Sequence, residues 1–380
     1  DYGATVVRIE SLQRPDFLRT SAPFKDRKPG VNRCGYFAFF NANKYSITLD
    51  LKHSKGIEVV KRFIAWADIL LENFRPGVME ARGLSYDEVR KINPGIIMVR
   101  SSGMGHTGPY AKVATAGIWL TALGGLTNIT GWPDRGVAQP YGVLPDFITP
   151  VLTTPVMLAA LDHKRKTGEG ECIDISQFET TIQFIAPLML DFLVNNNQGG
   201  RRGNEHSYAC PHGAYCCKGQ DRWCAIAVFN DEEWKAFGDV LDNPRWLNDA
   251  KFATLYGRKE HEDELNKLVE EWTVNFSAEE VMTLLQSAGV AAGVIKDPRD
   301  IYFDPQLRQR EHFWPIQHEE LDYFYHLGQA SKLSQTPAKH WRPAPCLGEH
   351  TEYVCTKILG MADTEFIELD QSGAFFSGRS

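Results

Sequence analysis

A chain of 380 residues exceeds the ~100–200 residues of a usual domain, so two domains, or one large domain carrying a smaller one, are expected. At 43% hydrophobic and 23% charged residues it has an ordinary globular composition, which excludes global disorder and fibrous repeats. With 41 Lys and Arg against 48 Asp and Glu, a formal charge of -7, the chain as a whole has no electrostatic reason to seek nucleic acid or an anionic membrane. Any polyanion must be held locally.

No run of 18 apolar residues occurs; the best stretch, 185–194, is short and broken by Asp191, so no membrane span is expected. The first residues, Asp-Tyr-Gly-Ala-Thr-Val-Val-Arg, show no basic segment followed by an apolar one, and a cytoplasmic protein is the expectation. Eight cysteines, two of them adjacent at Cys216 and Cys217, suit reduced thiols better than a disulfide framework.

In chain order, residues 5–10 and 47–51 read as strands, 56–67 as a helix and 69–72 again as a strand. Ser85 and Glu88 can cap a helix running to Asn93, and 95–102 is an apolar run suited to a buried strand. This alternation predicts a parallel, doubly wound α/β sheet. Residues 150–166 are helical in pattern, 172–175 restart a strand, and Ser176 with Glu179 can box the next helix. The polar, Gly-rich stretch 195–204 reads as a boundary. Beyond it, 225–229 and 291–295 are strand-like, 231–240 and 260–276 are helical, and Ser277 and Glu280 cap one more helix. Residues 349–369 form a final amphipathic segment.

Five places could carry chemistry. Between residues 14 and 44 stand Arg14, Arg19, Lys25, Arg27, Lys28, Arg33 and Lys44 against only Asp16 and Asp26, a local +5 that suits the phosphates of a nucleotide-like ligand; the plainer reading is a solvated loop. Glu72-Asn73-Phe74-Arg75-Pro76-Gly77 follows a strand, where an amide and a guanidinium can meet a ligand at the sheet's carboxyl edge, or simply make a turn. Gly103, Gly105 and Gly108 match Gly-x-Gly-x-x-Gly, but no helix follows directly, so a dinucleotide fingerprint is rejected. Asp146 precedes an apolar helix; with Pro150 at the first helical position, Thr149 is the cap and Asp146 lies in the loop before it. A carboxylate flanked there by Leu144, Pro145 and Phe147 is partly desolvated, a setting for a nucleophile or base. Cys210, His212, Cys216 and Cys217, with His206 and Cys224 nearby, match no paired zinc knuckle, and buried or loop thiols with no metal are expected.

Taken together, Asp1-Tyr-Gly-Ala-Thr-Val-Val-Arg-Ile-Glu10, Asn41-Ala-Asn-Lys44-Tyr-Ser-Ile-Thr-Leu-Asp-Leu-Lys52, Glu72-Asn-Phe-Arg-Pro-Gly77, Ser102-Gly-Met-Gly-His-Thr-Gly-Pro-Tyr110, and Thr167-Gly-Glu-Gly170 followed by Ile173-Asp-Ile-Ser176 resemble the class III CoA-transferases. That family includes formyl-CoA and carnitine CoA-transferases and, as a close relative, α-methylacyl-CoA racemase. The segment Cys210-Pro-His212-Gly-Ala-Tyr215 with Asp221-Arg-Trp223 is more similar to the benzylsuccinate branch, some members of which pair two unlike subunits, one of them silent.

The resemblance implies a Rossmann-like large domain over residues 1–195, a small α/β domain over 205–305, and a segment 306–380 that returns to the large domain, in an interlocked dimer. It also implies a leading strand and helix before the Asp-Tyr-Gly-Ala segment, so the chain is expected to start inside its first βαβ unit. A family aspartate lies 21 positions before the Thr-Gly-x-Gly turn, which is the spacing of Asp146 and Thr167. The implied activity moves CoA from an acyl-CoA donor to a carboxylic acid through an aspartyl anhydride and an aspartyl-CoA thioester. Asn73 and Phe74 match positions that touch CoA, and Lys44 and Arg75 are implied phosphate or adenine contacts. Where relatives carry an Arg eight residues after the Asn, this chain has Ala81, with Arg82 one step on. A racemase would need a His-Asp pair where Ala116 and Gly117 stand, so the transferase is favoured over the isomerase. A homodimer is implied, or a heterodimer with a related subunit.

Overall fold

The computed structural model describes residues 1–140 and 143–375. The chain divides into two compact units. The first comprises residues 1–120, 143–183 and 302–380, and the second 121–142 and 184–301. Residues 121–142 therefore cluster with the second unit, although they fall inside the span 1–195 that the sequence assigns to the large domain.

Along the chain, β1 (Val7–Glu10), α1 (Gly35–Asn41), β2 (Tyr45–Thr48), α2 (Ser54–Trp66), β3 (Ile69–Glu72), α3 (Tyr86–Ile92) and β4 (Ile97–Ser102) alternate as expected. Strand β1 pairs β2 in parallel, and β3 and β4 pair in parallel with β5 (Cys172–Ser176), in the order β3-β4-β5. The parallel strands thus form two groups where the sequence suggests one sheet. What joins them is side-chain packing: Ile47 and Leu49 of the β2 region, Val59, Val60, Phe63 and Ile64 of α2, and Met98 of β4 share one buried cluster. Helix α2 forms because those apolar residues recur at helical spacing on a single face, and its N-cap is His53, whose ring accepts from the Lys55 N–H.

The chain leaves β4 through a loop, passes α4 (Gly117–Leu123) and α5 (Leu126–Ile129), and enters α6 (Leu144–Thr167). Here the structure corrects the sequence. Helix α6 begins at Leu144, six residues before Pro150, because Pro145 occupies the first turn, where a missing N–H costs nothing. Asp146 is consequently a first-turn helical residue, its N–H paired with the Val143 carbonyl at 2.9 Å, and it does not lie in a preceding loop. Pro150 falls inside the helix and has no N–H to give the Asp146 carbonyl four residues back. By length and composition α6 could cross a membrane, a window that the search for unbroken apolar runs passes over. One of its faces nevertheless packs on the sheet: Met157, Ala160 and Leu161 meet Ile97, Val99 and Ile173.

The Thr-Gly-Glu-Gly turn after α6 has a steric reason. Gly168 caps the helix in the left-handed region at φ +80, and a Cβ on Gly170 would lie 2.6 Å from the Gly95 carbonyl carbon. Strand β5 and α7 (Gln177–Gln183) follow, with Ser176 Oγ accepting from the Glu179 N–H at 3.2 Å. The chain then passes α8 (Ala186–Asn195) in the second unit.

That unit is an antiparallel sheet of β6 (His212–Cys216), β7 (Trp223–Ala227) and later β8 (Ala291–Ile295). Between β7 and β8 come α9 (Asp231–Val240), α10 (Leu255–Glu260), α11 (Glu262–Thr273) and α12 (Ala278–Ser287). Its core includes Tyr215, Ile226, Phe237, Phe252, Leu265, Val281 and Leu285. Ser277 and Glu280 form a complete capping box on α12. Cys210, Cys217 and Cys224 are buried in the same core, and burial pushes the Cys210 thiol up to about 12 and Cys224 up to about 11.

The chain ends in the first unit. The antiparallel pair β9 (Phe313–His318) and β10 (Asp322–Leu327) packs Leu321 and Phe324 against Phe37 and Ala38 of α1. The amphipathic segment expected over 349–369 is two pieces, a helical turn over 351–358 and a helix Asp363–Gln371, separated at Gly360. Its end returns to β2: Asp50 donates its N–H to Ala374, and the Thr48 hydroxyl donates to the Phe375 carbonyl at 2.7 Å.

Candidate active site

Asp146 projects from the first turn of α6 beside the carboxyl ends of β4 and β5, elements of one unit. The Gln177 amide, one residue beyond β5, donates from Nε2 to Asp146 Oδ1 at 3.0 Å. On the other side lies Gly117, where a Cβ would collide with Asp146 Oδ2 and stand 2.9 Å from Val143 Cα. The residue as a whole is exposed, but these close neighbours strip water from the carboxyl group. Desolvation raises its pKa above the ordinary value, and the Gln177 hydrogen bond only partly offsets that rise. A carboxylate held in one orientation, accessible from one side and more basic than usual, is equipped to attack a carbonyl carbon.

Asp146 is among the candidates read from the sequence, and Gln177 is not. In the sequence Ser176 reads as a cap, whereas the residue after it leaves the strand at the sheet's carboxyl edge, a position that itself marks ligand-facing residues. Replacing Gln177 by alanine is expected to lower kcat about tenfold or more, the worth of one hydrogen bond to a charged group. If Asp146 acts in the reaction, the acid limb of the pH–rate profile should move to higher pH, because the contact that lowers its pKa is lost; steady-state kinetics across pH 4–8 measures both.

The other sequence candidates occupy two places. Asn73, Phe74 and Arg75 are exposed on the loop after β3. Glu72, buried at the end of β3, accepts the Phe74 N–H at 2.7 Å through Oε2 and Arg100 Nε at 2.9 Å through Oε1. Arg82 is half-buried and turns one nitrogen back onto the Val78 carbonyl at 2.8 Å, so it is partly engaged within its own turn. Lys44 stands before β2, where its Nζ donates to Asn41 Oδ1 at 3.1 Å; burial, together with repulsion from Arg8, brings its pKa down to about 8.

The basic stretch 14–44 is less available than its composition suggests. Arg19 is completely buried, paired with Glu10 at 2.8 Å and stacked 3.6 Å over the Phe37 ring. Lys25 pairs with Asp322, and Arg33 pairs with Asp26 at 3.2 Å. These three are engaged within the protein, while Arg14, Arg27 and Lys28 are exposed. In the loop after β4, the His106 N–H donates to both carboxylate oxygens of Asp174, at 3.0 and 3.2 Å. Cys210, Cys216 and Cys217 gather no set of three metal-capable donors among the described residues.

Comparison with known proteins converges on one family. The profile of CoA-transferase family III matches residues 1–351. Succinyl-CoA--D-citramalate CoA-transferase of Chloroflexus aurantiacus is 30% identical over 97% of this chain and 90% of its own. The beta subunit of succinyl-CoA--L-malate CoA-transferase from the same organism is 30% identical over 97% of this chain and 91% of its own. Among solved structures, a CAIB/BAIF family protein from Brucella suis superposes with a TM-score of 0.85 at 29% identity, covering 94% of this chain and 92% of that one. Matched along nearly its whole length in sequence and in fold, the chain belongs to CoA-transferase family III and is an enzyme that transfers coenzyme A.

Proposed function

We propose that this enzyme moves CoA from an acyl-CoA donor to a carboxylic acid through covalent intermediates on Asp146, with succinyl-CoA the first donor to test. The observation that carries this reading is the Asp146 carboxylate itself, oriented by Gln177 and seated against Gly117. One carboxylate oxygen attacks the donor's thioester carbonyl, the C–S bond breaks, and CoA thiolate leaves a mixed anhydride on Asp146. The thiolate then attacks the aspartyl carbonyl carbon of that anhydride, releasing the donor's acid as its carboxylate and leaving an aspartyl-CoA thioester. The acceptor carboxylate repeats both steps in reverse order, so atoms and charge balance and no water is consumed.

Asn73, Phe74 and Arg75 on their exposed loop, with Lys44 and the free edge of Arg82, are the proposed CoA contacts. Both relatives are named for succinyl-CoA, which supports the same donor here; the acceptor class is a dicarboxylic acid, with an aryl-substituted one in the panel. The isomerase alternative is disfavoured by Gly117, because a side-chain base at that position would occupy the space of the Asp146 carboxylate. The test is to incubate the protein with succinyl-CoA, add hydroxylamine, and map the hydroxamate by peptide mass. Modification at Asp146 is the expected result, and full exchange activity with no adduct there would refute the mechanism.

A second copy of the chain is part of the proposal. Uncovered apolar side chains include Val151 and Leu158 on α6 and, in the other unit, Leu193 and Val194 on α8. Stable obligate interfaces cover several thousand Å² of this kind of surface. Light scattering is expected to give twice the chain mass; a monomer would refute it, and the malate enzyme's named beta subunit makes an unlike partner the other outcome to look for. All eight cysteines are free thiols, which supports a reducing, cytoplasmic setting.

A further inference from the structure

The loop that carries Asn73, Phe74 and Arg75 is exposed and contains Pro76 and Gly77, so local sequence alone would leave it loose. Its two ends are nonetheless fastened to one side chain. Glu72 and Arg100 are register partners on the parallel strands β3 and β4, both buried, with Arg100 Nε donating to Glu72 Oε1 at 2.9 Å. The other oxygen of Glu72 accepts the Phe74 N–H at 2.7 Å, which fixes the first turn of the loop. At the far end, Glu80 opens the short 3-10 turn Glu80–Arg82, and its Oε1 lies 2.8 Å from Arg100 Nη2. His106 Nε2, from the loop after β4, lies 3.7 Å from the same Glu72 oxygen without a hydrogen bond to it.

We propose that Glu72, Arg100 and Glu80 form a positioning strap that holds residues 73–79 ready for the acyl-CoA donor and so sets the enzyme's affinity for CoA without touching it. The inference rests on the reading of Asn73 and Phe74 as CoA contacts. Arg100 hydrogen-bonds Glu72 through Nε while Nη2 forms an ion pair with Glu80, a span that the single ammonium of a lysine cannot imitate. Ordering the loop before the ligand arrives removes an entropic cost from the binding step, and that saving appears in affinity.

The test uses the full chain and two variants. Glu80→Gln removes the charge of a carboxylate with 41% of its side chain exposed, so the fold is not at risk. Arg100→Lys keeps a cation beside buried Glu72 but cannot span both partners. Titration calorimetry with CoA and steady-state kinetics with succinyl-CoA and an acceptor acid provide the readout. Expected is a rise of roughly five- to twentyfold in the CoA dissociation constant and in KM for the donor, with kcat and the acceptor's KM changed less than about twofold. A merely structural pair would lower kcat, or the active fraction, along with affinity. Unchanged CoA affinity in both variants, with the wild type binding normally, overturns the strap. A wild-type protein that does not bind CoA overturns instead the functional reading on which the strap rests.

Discussion

Asp146→Asn is expected to reduce CoA transfer by roughly a thousandfold or more while leaving the melting temperature at pH 7 unchanged or higher. The first part follows from the proposed covalent mechanism: an amide cannot form the anhydride, and loss of a nucleophile removes most of the rate. The second follows from the sign of the pKa shift. Desolvation raises the Asp146 pKa in the native state, so the native chain binds that proton more tightly than the unfolded chain does. The contribution of this group to stability is therefore fullest below the ordinary carboxylate pKa and declines as pH rises through the elevated value. At pH 7 the wild type carries the whole penalty, which asparagine lacks, while Gln177 can still donate to the amide oxygen. Thermal scans at pH 7 and near pH 3 should show the variant's advantage at the first and its disappearance at the second. In the wild type, kcat/KM should fall as pH drops through a value above the usual aspartate range.

The second large effect lies in the fold. Arg19→Ala is expected to cost about 3–5 kcal/mol, because it leaves the Glu10 carboxylate buried without its cation. Burial on its own would raise the Glu10 pKa, but hydrogen bonds and charge from Arg19, a hydrogen bond from Ser46 and the nearby charge of Arg8 bring it below the ordinary value. That sign means the pair stabilises the fold above the unfolded glutamate pKa and ceases to do so as pH falls through the lower native value. Arg19 also donates to the carbonyls of Val31 and Pro345 and to Asn32 Oδ1, so truncation strands several acceptors. Urea titration should show the loss in Arg19→Ala and a much smaller one in Glu10→Gln/Arg19→Met, where both charges are gone and the volume is kept. Equal losses in the two variants would show that packing against Phe37 outweighs the charge.

Much of the architecture was legible because it depends on local pattern. The alternation of strand and helix from β1 to β4, the Ser85 and Ser277 caps and the apolar face of α2 all follow from side-chain period and capping chemistry. The hairpin β9–β10 was not read, since its Tyr, Phe, His and Pro content shows no clean alternation; it is stabilised by a distant surface, the Phe37 side of α1. The start of α6 was misplaced because two prolines compete for the same role and the sequence does not say which lies inside the helix. At the candidate site, Asp146 stands out by residue type and by the spacing that the family resemblance implies, whereas Gln177 and the Arg100 contacts depend on which strand ends lie side by side. The basic stretch misled for the opposite reason. Composition counts charges, but only the fold reveals that Arg19 points inward.

Pro150 and Pro155 have a mechanical consequence for α6. Neither can donate to the carbonyl four residues back, at Asp146 and Val151, so two rungs are missing from the first half of the helix. The Thr153 and Thr154 hydroxyls bond the Thr149 and Pro150 carbonyls, at 2.7 and 2.8 Å, and patch the same stretch without restoring those rungs. Beyond Pro155 the ladder runs uninterrupted through Met157, Ala160 and Leu161, where the helix grips the sheet. Asp146, the nucleophile of the proposed mechanism, thus stands on the part of α6 whose backbone ladder is incomplete, ahead of the part that is anchored to the sheet. The acyl and thioester adducts of the proposed mechanism would be built about three helical turns ahead of Met157, so the incomplete stretch of the ladder and not the anchored one would adjust to them.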